Sequence, residues 1–136
     1  MRSKRIILDT NLWISFLISK KLDLLDNYLI KGKFKLIFSH ELIDEFLTVV
    51  NRPKFKKYFA EENISDLLKL FDKYGELIKV DSKVEKCRDF KDNFLLNLAI
   101  DSEANFLITG DSDLLVLKKI KNTKILNWTD FTNEMK

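Results

Sequence analysis

Carboxylates follow two apolar segments of this 136-residue chain. Asp9 comes directly after residues 6–8, and Asp111 and Asp113 come shortly after residues 106–108. Short apolar runs without polar alternation are typical of strands that are covered on both faces of a parallel sheet. Ligands of open α/β sheets bind outside the carboxyl ends of the strands. We therefore expect the two strand ends to deliver their acids to one acidic site.

Two further acids can reach the same edge from helices. In the helix predicted after Ser39, Glu45 lies at the border of the apolar face, whereas Glu41 points away from it. Asp92 opens a nearly all-apolar helix over residues 92–103, which must be buried, so its first turn is expected close to the sheet. The candidate acids are thus Asp9, Glu45, Asp92, Asp111 and Asp113.

A cluster of acids without histidine or cysteine partners would select a hard cation. Neighbouring carboxylates repel one another unless one is protonated or a cation binds. Oxygen ligands favour Mg²⁺ or Mn²⁺, which suit phosphoryl chemistry. Taken singly, Asp92 and Asp111 are equally well explained as helix N-caps, and Glu45 as a solvated helix residue. The joint placement of the acids favours the metal site.

Composition bounds the function classes. The net charge of +3, from 24 basic and 21 acidic residues, permits a nucleic-acid partner without requiring one. The single cysteine excludes an internal disulfide, and the single histidine excludes a histidine-rich zinc site. No apolar run approaches the ~18 residues of a membrane span, and the basic amino terminus lacks the features of a signal peptide. These observations predict a soluble cytoplasmic protein with one domain over residues 1–136.

Strands and helices alternate along the chain. Strands are predicted at 6–8, 34–38, 77–80, 106–108 and near 124–126. Helices are predicted within 12–19 and 22–30, for three turns after Ser39, over 63–74 with Gly75 as the C-terminal cap, over 92–103 and from about Ser112. This alternation predicts an α/β fold with a mostly parallel sheet and helices on both faces.

The ordered motifs of the chain resemble the PIN-domain family of metal-dependent nucleases, and most closely its small prokaryotic members that act as toxins of toxin–antitoxin pairs. The motifs are DTN at 9–11, Ser39 with five residues before Glu45, RPKF at 52–55, CRDFKDN at 87–93 and TGDSDLL at 109–115. They span nearly the whole chain. Two positions depart from the family pattern, Phe90 in place of proline and Asn97 in place of an acid.

The resemblance implies a five-stranded parallel sheet of order 3-2-1-4-5 in an α/β/α domain. It also implies that Asp9, Glu45, Asp92 and Asp111 are catalytic metal ligands, with Asp113 as an additional acid and with hydrogen-bonding support from Asn11 and Thr109. The implied activity is Mg²⁺- or Mn²⁺-dependent cleavage of single-stranded or loop RNA, with a cognate antitoxin protein as partner. The sequence leaves open whether the chain forms a homodimer.

Three further points concern partners and alternatives. The basic segment Arg52, Lys54, Lys56 and Lys57 is the candidate RNA contact, although such a run is more often a solvated face. A non-catalytic PIN-fold binding module is the main alternative, and retention of the expected acids argues against it. An aspartyl-phosphate phosphatase would need a second acid at the position of Asn11.

Overall fold

The computed structural model describes residues 4–19, 34–54, 75–81 and 93–134, together with helical positions 65, 68, 69, 72 and 73; the side chains of 16–19 are not described. The strands are β1 (Lys4–Leu8), β2 (Phe34–Phe38), β3 (Gly75–Leu77), β4 (Phe106–Ile108), β5 (Lys119–Ile120) and β6 (Thr123–Leu126). The helices are α1 (Thr10–Ser19), α2 (His40–Val50), α3 (Asn93–Ser102), α4 (Ser112–Leu115) and α5 (Trp128–Glu134). The predicted helix at 22–30 and most of the one at 63–74 lie outside the described residues.

The described strands form one sheet of order β3-β2-β1-β4-β6-β5. Every pair is parallel except β5–β6, so the predicted α/β class with a mainly parallel sheet is confirmed. Strand β1 pairs with β2 on one side and with β4 on the other. Its residues 6–8 are at most 1% exposed, as a strand covered on both faces requires. The strand order reverses between β1 and β4, where a ligand site is expected.

Helices cover both faces of the sheet. The Phe131 ring of α5 packs 5.4 Å from that of Phe106. Phe106 and Lys124 are paired across β4 and β6, so their side chains share the face that α5 covers. Thr123 points to the opposite face, where its hydroxyl donates to the Ala104 carbonyl at 2.6 Å, just after α3. Helices α3 and α5 therefore lie on opposite faces, which gives three layers.

The third strand lies at Gly75–Leu77 instead of the predicted 77–80. Gly75, which the sequence suggested as a helix cap, is the first residue of β3, where it pairs with β2. The strand is at one end of the sheet order, and Leu77 within it is 52% exposed. Ile78 and Val80 suggested the later position because they are apolar, but they pack against the core after the strand has ended. Because β3 is an exposed edge strand, its residues do not form an apolar run from which its position could be predicted.

Two elements were not predicted at all. Strand β5 has two residues and runs antiparallel to β6, so the sheet of the described residues has six strands where five were expected. A two-residue strand is too short to show alternation. Helix α5 was missed because its sequence, WTDFTNE, is largely polar and only Phe131 is buried. The predicted strand near 124–126 is confirmed as β6, and it follows β4 in the sheet as the implied order requires.

Candidate acidic site

Asp9 joins β1 to α1. Its backbone N–H donates to the Ile108 carbonyl at 3.0 Å and so extends the pairing with β4. Its own carbonyl accepts the N–H groups of Leu12 and Trp13 at 3.0 and 3.1 Å, which begins α1. The residue is 7% exposed. A carboxylate is thus fixed at the carboxyl end of the central strand.

Hydrogen-bond donors hold the Asp9 carboxylate in place. The Thr109 hydroxyl donates to Oδ2 at 2.6 Å, and the backbone N–H of Asn11 donates to Oδ1 at 3.3 Å. Burial raises the pKa of Asp9, and the negative charge of Asp111 raises it further, against the lowering effect of hydrogen bonds from the Thr109 hydroxyl and from the backbone N–H groups of Asn11 and Thr10. The balance is a raised pKa, so the charged carboxylate is penalised where it lies. A bound cation would remove that penalty.

Thr109 connects the ends of β1 and β4. It is buried, and its hydroxyl also accepts the backbone N–H of Asp111 at 3.0 Å. Asp111 in turn is the N-cap of α4, since its carboxylate accepts the N–H of Asp113 at 2.9 Å. Gly110 between them is exposed, and a Cβ built on it would meet no atom within 4 Å. Asp111 can therefore cap α4 and also belong to the acidic site. The space beside Gly110 leaves this edge of the site open.

Glu45 approaches the site from α2. The helix is capped by Ser39, whose hydroxyl accepts the Leu42 N–H at 3.1 Å, and Glu45 is half-buried on it. The Thr10 hydroxyl donates to Oε2 of Glu45 at 3.0 Å. Because Thr10 follows Asp9 in the chain, this bond brings the α2 carboxylate next to the end of β1.

The sequence pointed to Asn11 as a hydrogen-bonding residue and passed over Thr10. In the structure the Asn11 side chain is exposed, and its backbone N–H makes the bond to Asp9. Thr10 is 2% exposed, and its hydroxyl contacts a candidate acid directly. The only sequence signal for Thr10 was its place between the two residues that drew attention in the DTN motif.

The remaining predicted residues are less closely tied to this edge. Asp113 contacts Asp111 through its backbone N–H, and Arg52 and Lys54 are exposed just after α2. Asp92, Lys56 and Lys57 lie outside the described residues. Within the described part of the chain, no three His, Cys, Asp or Glu side chains are close enough together to hold a metal ion.

Comparison with known proteins identifies the family of this chain. The model of the PIN domain matches residues 5–113, which is most of the chain. The chain belongs to the PIN domain family. An uncharacterized protein of Methanocaldococcus jannaschii is 33% identical over 121 residues, covering 84% of this chain and 75% of that protein.

A solved structure shares the PIN fold of this chain. It is VapBC2 from Rickettsia felis bound to a DNA fragment from their promoter, one chain of which matches with a TM-score of 0.61. The match covers 91% of this chain and 98% of that chain at 21% identity, so it is a likeness of fold. PIN domain proteins are nucleases that generally use divalent metals. Every helix in the described part of the chain is too short or too polar to span a bilayer.

Proposed function

We propose that this PIN domain protein is a divalent-cation-dependent endoribonuclease that cleaves unpaired RNA as the toxin of a toxin–antitoxin pair. The observation that carries the proposal is the Asp9 carboxylate, which is buried at the switch point of the sheet, with its pKa raised by burial and by Asp111. A carboxylate in a crevice whose pKa is perturbed by burial and by a neighbouring charge is a candidate for a functional site.

The donor types at this edge suit Mg²⁺ or Mn²⁺, although the described acids would have to move closer together to hold one ion. Asp9, Glu45 and Asp111 offer carboxylate oxygens, and Thr109 and Thr10 offer hydroxyls, without a nitrogen or sulfur ligand. Such ligands favour hard cations. We assign Asp9, Glu45, Asp92 and Asp111 as the ligands, with Asp113 as an additional acid. A divalent cation bound by these residues would neutralise charge at the phosphodiester and lower the pKa of an attacking water.

The residues of the chain have separate tasks in this reaction. Asp9 is held in one orientation by the Thr109 hydroxyl and the Asn11 N–H. Thr109 fixes the spacing of Asp9 and Asp111, because it contacts the carboxylate of one and the backbone of the other. Rigid placement of this kind contributes to catalysis by removing the cost of orienting the groups during the reaction.

RNA is the polyanion that this site is expected to receive. Arg52 and Lys54 are exposed at the end of α2, the helix that carries Glu45, and with Lys56 and Lys57 they form the proposed phosphate contact. An unpaired loop exposes its phosphodiesters for in-line attack, whereas a duplex keeps them in a regular helical surface. The substrate proposed is therefore a single-stranded or looped RNA.

The proposed partner is a cognate antitoxin protein. Its support is the resemblance of the ordered motifs to toxin components and the likeness of fold to a chain of VapBC2. An antitoxin that covers the edge carrying Asp9 and Glu45 would block access to the acids.

An RNA cleavage assay tests the proposal. Purified protein with Mg²⁺ is expected to cleave a looped RNA internally, EDTA is expected to stop it, and Asp9→Ala and Glu45→Ala are each expected to lower the rate by about 100-fold or more. Glu41→Ala is the matched control, because Glu41 is an exposed acid on the same helix as Glu45. It should retain the wild-type rate.

The assay also separates the alternatives. Cleavage that continues in EDTA, or that survives Asp9→Ala, would contradict a metal-dependent nuclease. RNA binding without cleavage by the wild-type protein would favour the non-catalytic binding module.

A further inference from the structure

The hydroxyl of Thr10 reaches from one element of the acidic site to another. Thr10 is the first residue of α1, and its Oγ1 donates to Oε2 of Glu45 on α2 at 3.0 Å. The two residues are 35 positions apart in the chain. Helices α1 and α2 are in contact, so the bond lies at their interface.

The two side chains of this bond differ in the number of rotamers open to them. Thr10 is 2% exposed, is β-branched and follows the fixed Asp9, so its hydroxyl has a defined position. A glutamate side chain has three rotatable bonds and loses considerable entropy when it is ordered. A buried hydroxyl of defined position can therefore favour one orientation of the Glu45 carboxylate.

A structural role alone is the ordinary explanation of a buried threonine hydroxyl, and this chain contains an example. Thr123 is 1% exposed, and its hydroxyl donates to the Ala104 carbonyl at 2.6 Å, on the face covered by α3. The acceptor of Thr123 is a backbone group with no part in the proposed chemistry. The acceptor of Thr10 is a carboxylate assigned as a cation ligand. Removal of the Thr10 hydroxyl should therefore affect cation binding, whereas removal of the Thr123 hydroxyl should not.

We propose that Thr10 is a positioning residue, whose hydroxyl holds the Glu45 carboxylate toward Asp9 and thereby increases the affinity of the acidic site for a divalent cation. The inference rests on the proposed function, since it assumes that Glu45 and Asp9 share a cation. Hydrogen bonds to ligating carboxylates act in this way in metal proteins, where their loss costs about 10–100-fold in affinity.

Calorimetric titration with Mn²⁺ tests the role without reference to catalysis. Thr10→Val keeps the shape and removes the hydroxyl, and we expect its Mn²⁺ dissociation constant to rise by about tenfold or more. Thr10→Ser restores a hydroxyl and should return the affinity toward the wild-type value. Thr123→Val is the matched control, because it removes a buried hydroxyl away from the acids and should leave the affinity unchanged.

Melting temperatures measured in EDTA complete the design. A purely structural Thr10 would lower the melting temperature of Thr10→Val and leave the Mn²⁺ affinity of the folded protein intact, which would overturn the inference. Equal losses of affinity in Thr10→Val and Thr123→Val would also overturn it. If Thr10→Val does not fold, a normal affinity in Thr10→Ala would count against the inference in the same way.

The failure of this inference is distinguishable from that of the proposed function. Wild-type protein that does not bind Mn²⁺ overturns both. Wild-type binding that Asp9→Asn abolishes and Thr10→Val leaves unchanged overturns the role of Thr10 alone.

Discussion

Asp9 serves the fold and the proposed chemistry with different atoms. Its backbone groups continue the β1–β4 pairing and begin α1, while its carboxylate accepts bonds from Thr109 and Asn11. Burial works against the carboxylate charge, as the raised pKa indicates. Without a cation, this residue should therefore reduce the stability of the protein that it helps to organise.

Neutralising Asp9 is expected to stabilise the metal-free protein at neutral pH. Because the native pKa is raised, the folded state binds the proton more tightly than the unfolded state, and wild-type stability falls as pH rises through the interval between the two pKa values. Asp9→Asn has no such loss. Its free energy of unfolding in EDTA should exceed that of wild type at pH 7, and the difference should shrink as pH falls toward the ordinary aspartate pKa.

The control for this measurement is Asp130→Asn, because Asp130 is an exposed acid on α5. Urea titrations at several pH values give the comparison. Lower stability of Asp9→Asn than of wild type at pH 7 would mean that the bonds from Thr109 and Asn11 outweigh the cost of burial.

The sequence was sufficient to predict that Asp9 and Asp111 lie close together in the candidate site. The meeting of Asp9 and Asp111 follows from strand ends alone, because neighbouring parallel strands bring their carboxyl ends to one edge. The Thr10–Glu45 bond depends on how α1 packs against α2 and on the side-chain rotamers at that contact. No periodicity in the sequence encodes such a contact. The position of Asp92 stays a prediction.

Helix α3 ends in a way that its sequence does not favour. Ala104 N–H bonds to the Ala99 carbonyl and Glu103 N–H to the Ile100 carbonyl, both at 3.3 Å, which is a Schellman motif. Its left-handed position is occupied by Glu103 with φ of 54°, where glycine is usual. A side chain in this conformation costs roughly 1–2 kcal/mol.

Relieving that strain should stabilise the protein. Glu103→Gly is expected to raise the free energy of unfolding by about 0.5–1 kcal/mol, since the relief of strain exceeds the added entropy of the unfolded glycine. Glu103→Ala keeps the Cβ and should show no comparable gain, which makes it the control in a thermal or urea titration. A Glu103→Gly protein that is less stable than Glu103→Ala would show that the strain at the left-handed position is too small to outweigh the entropy of glycine.

Elements were predictable from sequence where they are long or buried. Strands β1, β2, β4 and β6 and helices α2 and α3 were located within one or two residues, because burial imposes apolar runs or helical spacing on them. Strand β3 was misplaced, and β5 and α5 were missed. These three are exposed, very short or mostly polar, so tertiary contacts determine them more than local pattern does.

At the scale of the whole molecule, hydrogen bonds and ion pairs connect segments that are far apart in the chain. The Arg5 side chain of β1 donates to the Ser102 carbonyl at 2.8 Å and to Glu76 of β3 at 3.0 Å, and Lys35 of β2 also pairs with Glu76. Ion pairing and hydrogen bonds with Lys35 and Arg5 lower the pKa of Glu76. The network joins three strands and the end of α3, and it supports the sheet that carries the acids.

The carboxyl edge of that sheet gathers residues from positions 9, 10, 45, 109 and 111 of the chain. Only the folded sheet and its helices bring them together, so the central claim concerns the assembled edge. That claim is that the acids of this edge bind a divalent cation.

Anomalous diffraction from a crystal soaked in Mn²⁺ tests this claim most directly. We predict a peak within about 2.5 Å of a carboxylate oxygen of Asp9, with Glu45 or Asp111 oxygens, or both, contacting the same ion directly or through water. A crystal of Asp9→Asn soaked in the same way should lack the peak. A wild-type map without a peak at Asp9, or with the ion bound at another surface of the protein, would contradict the claim.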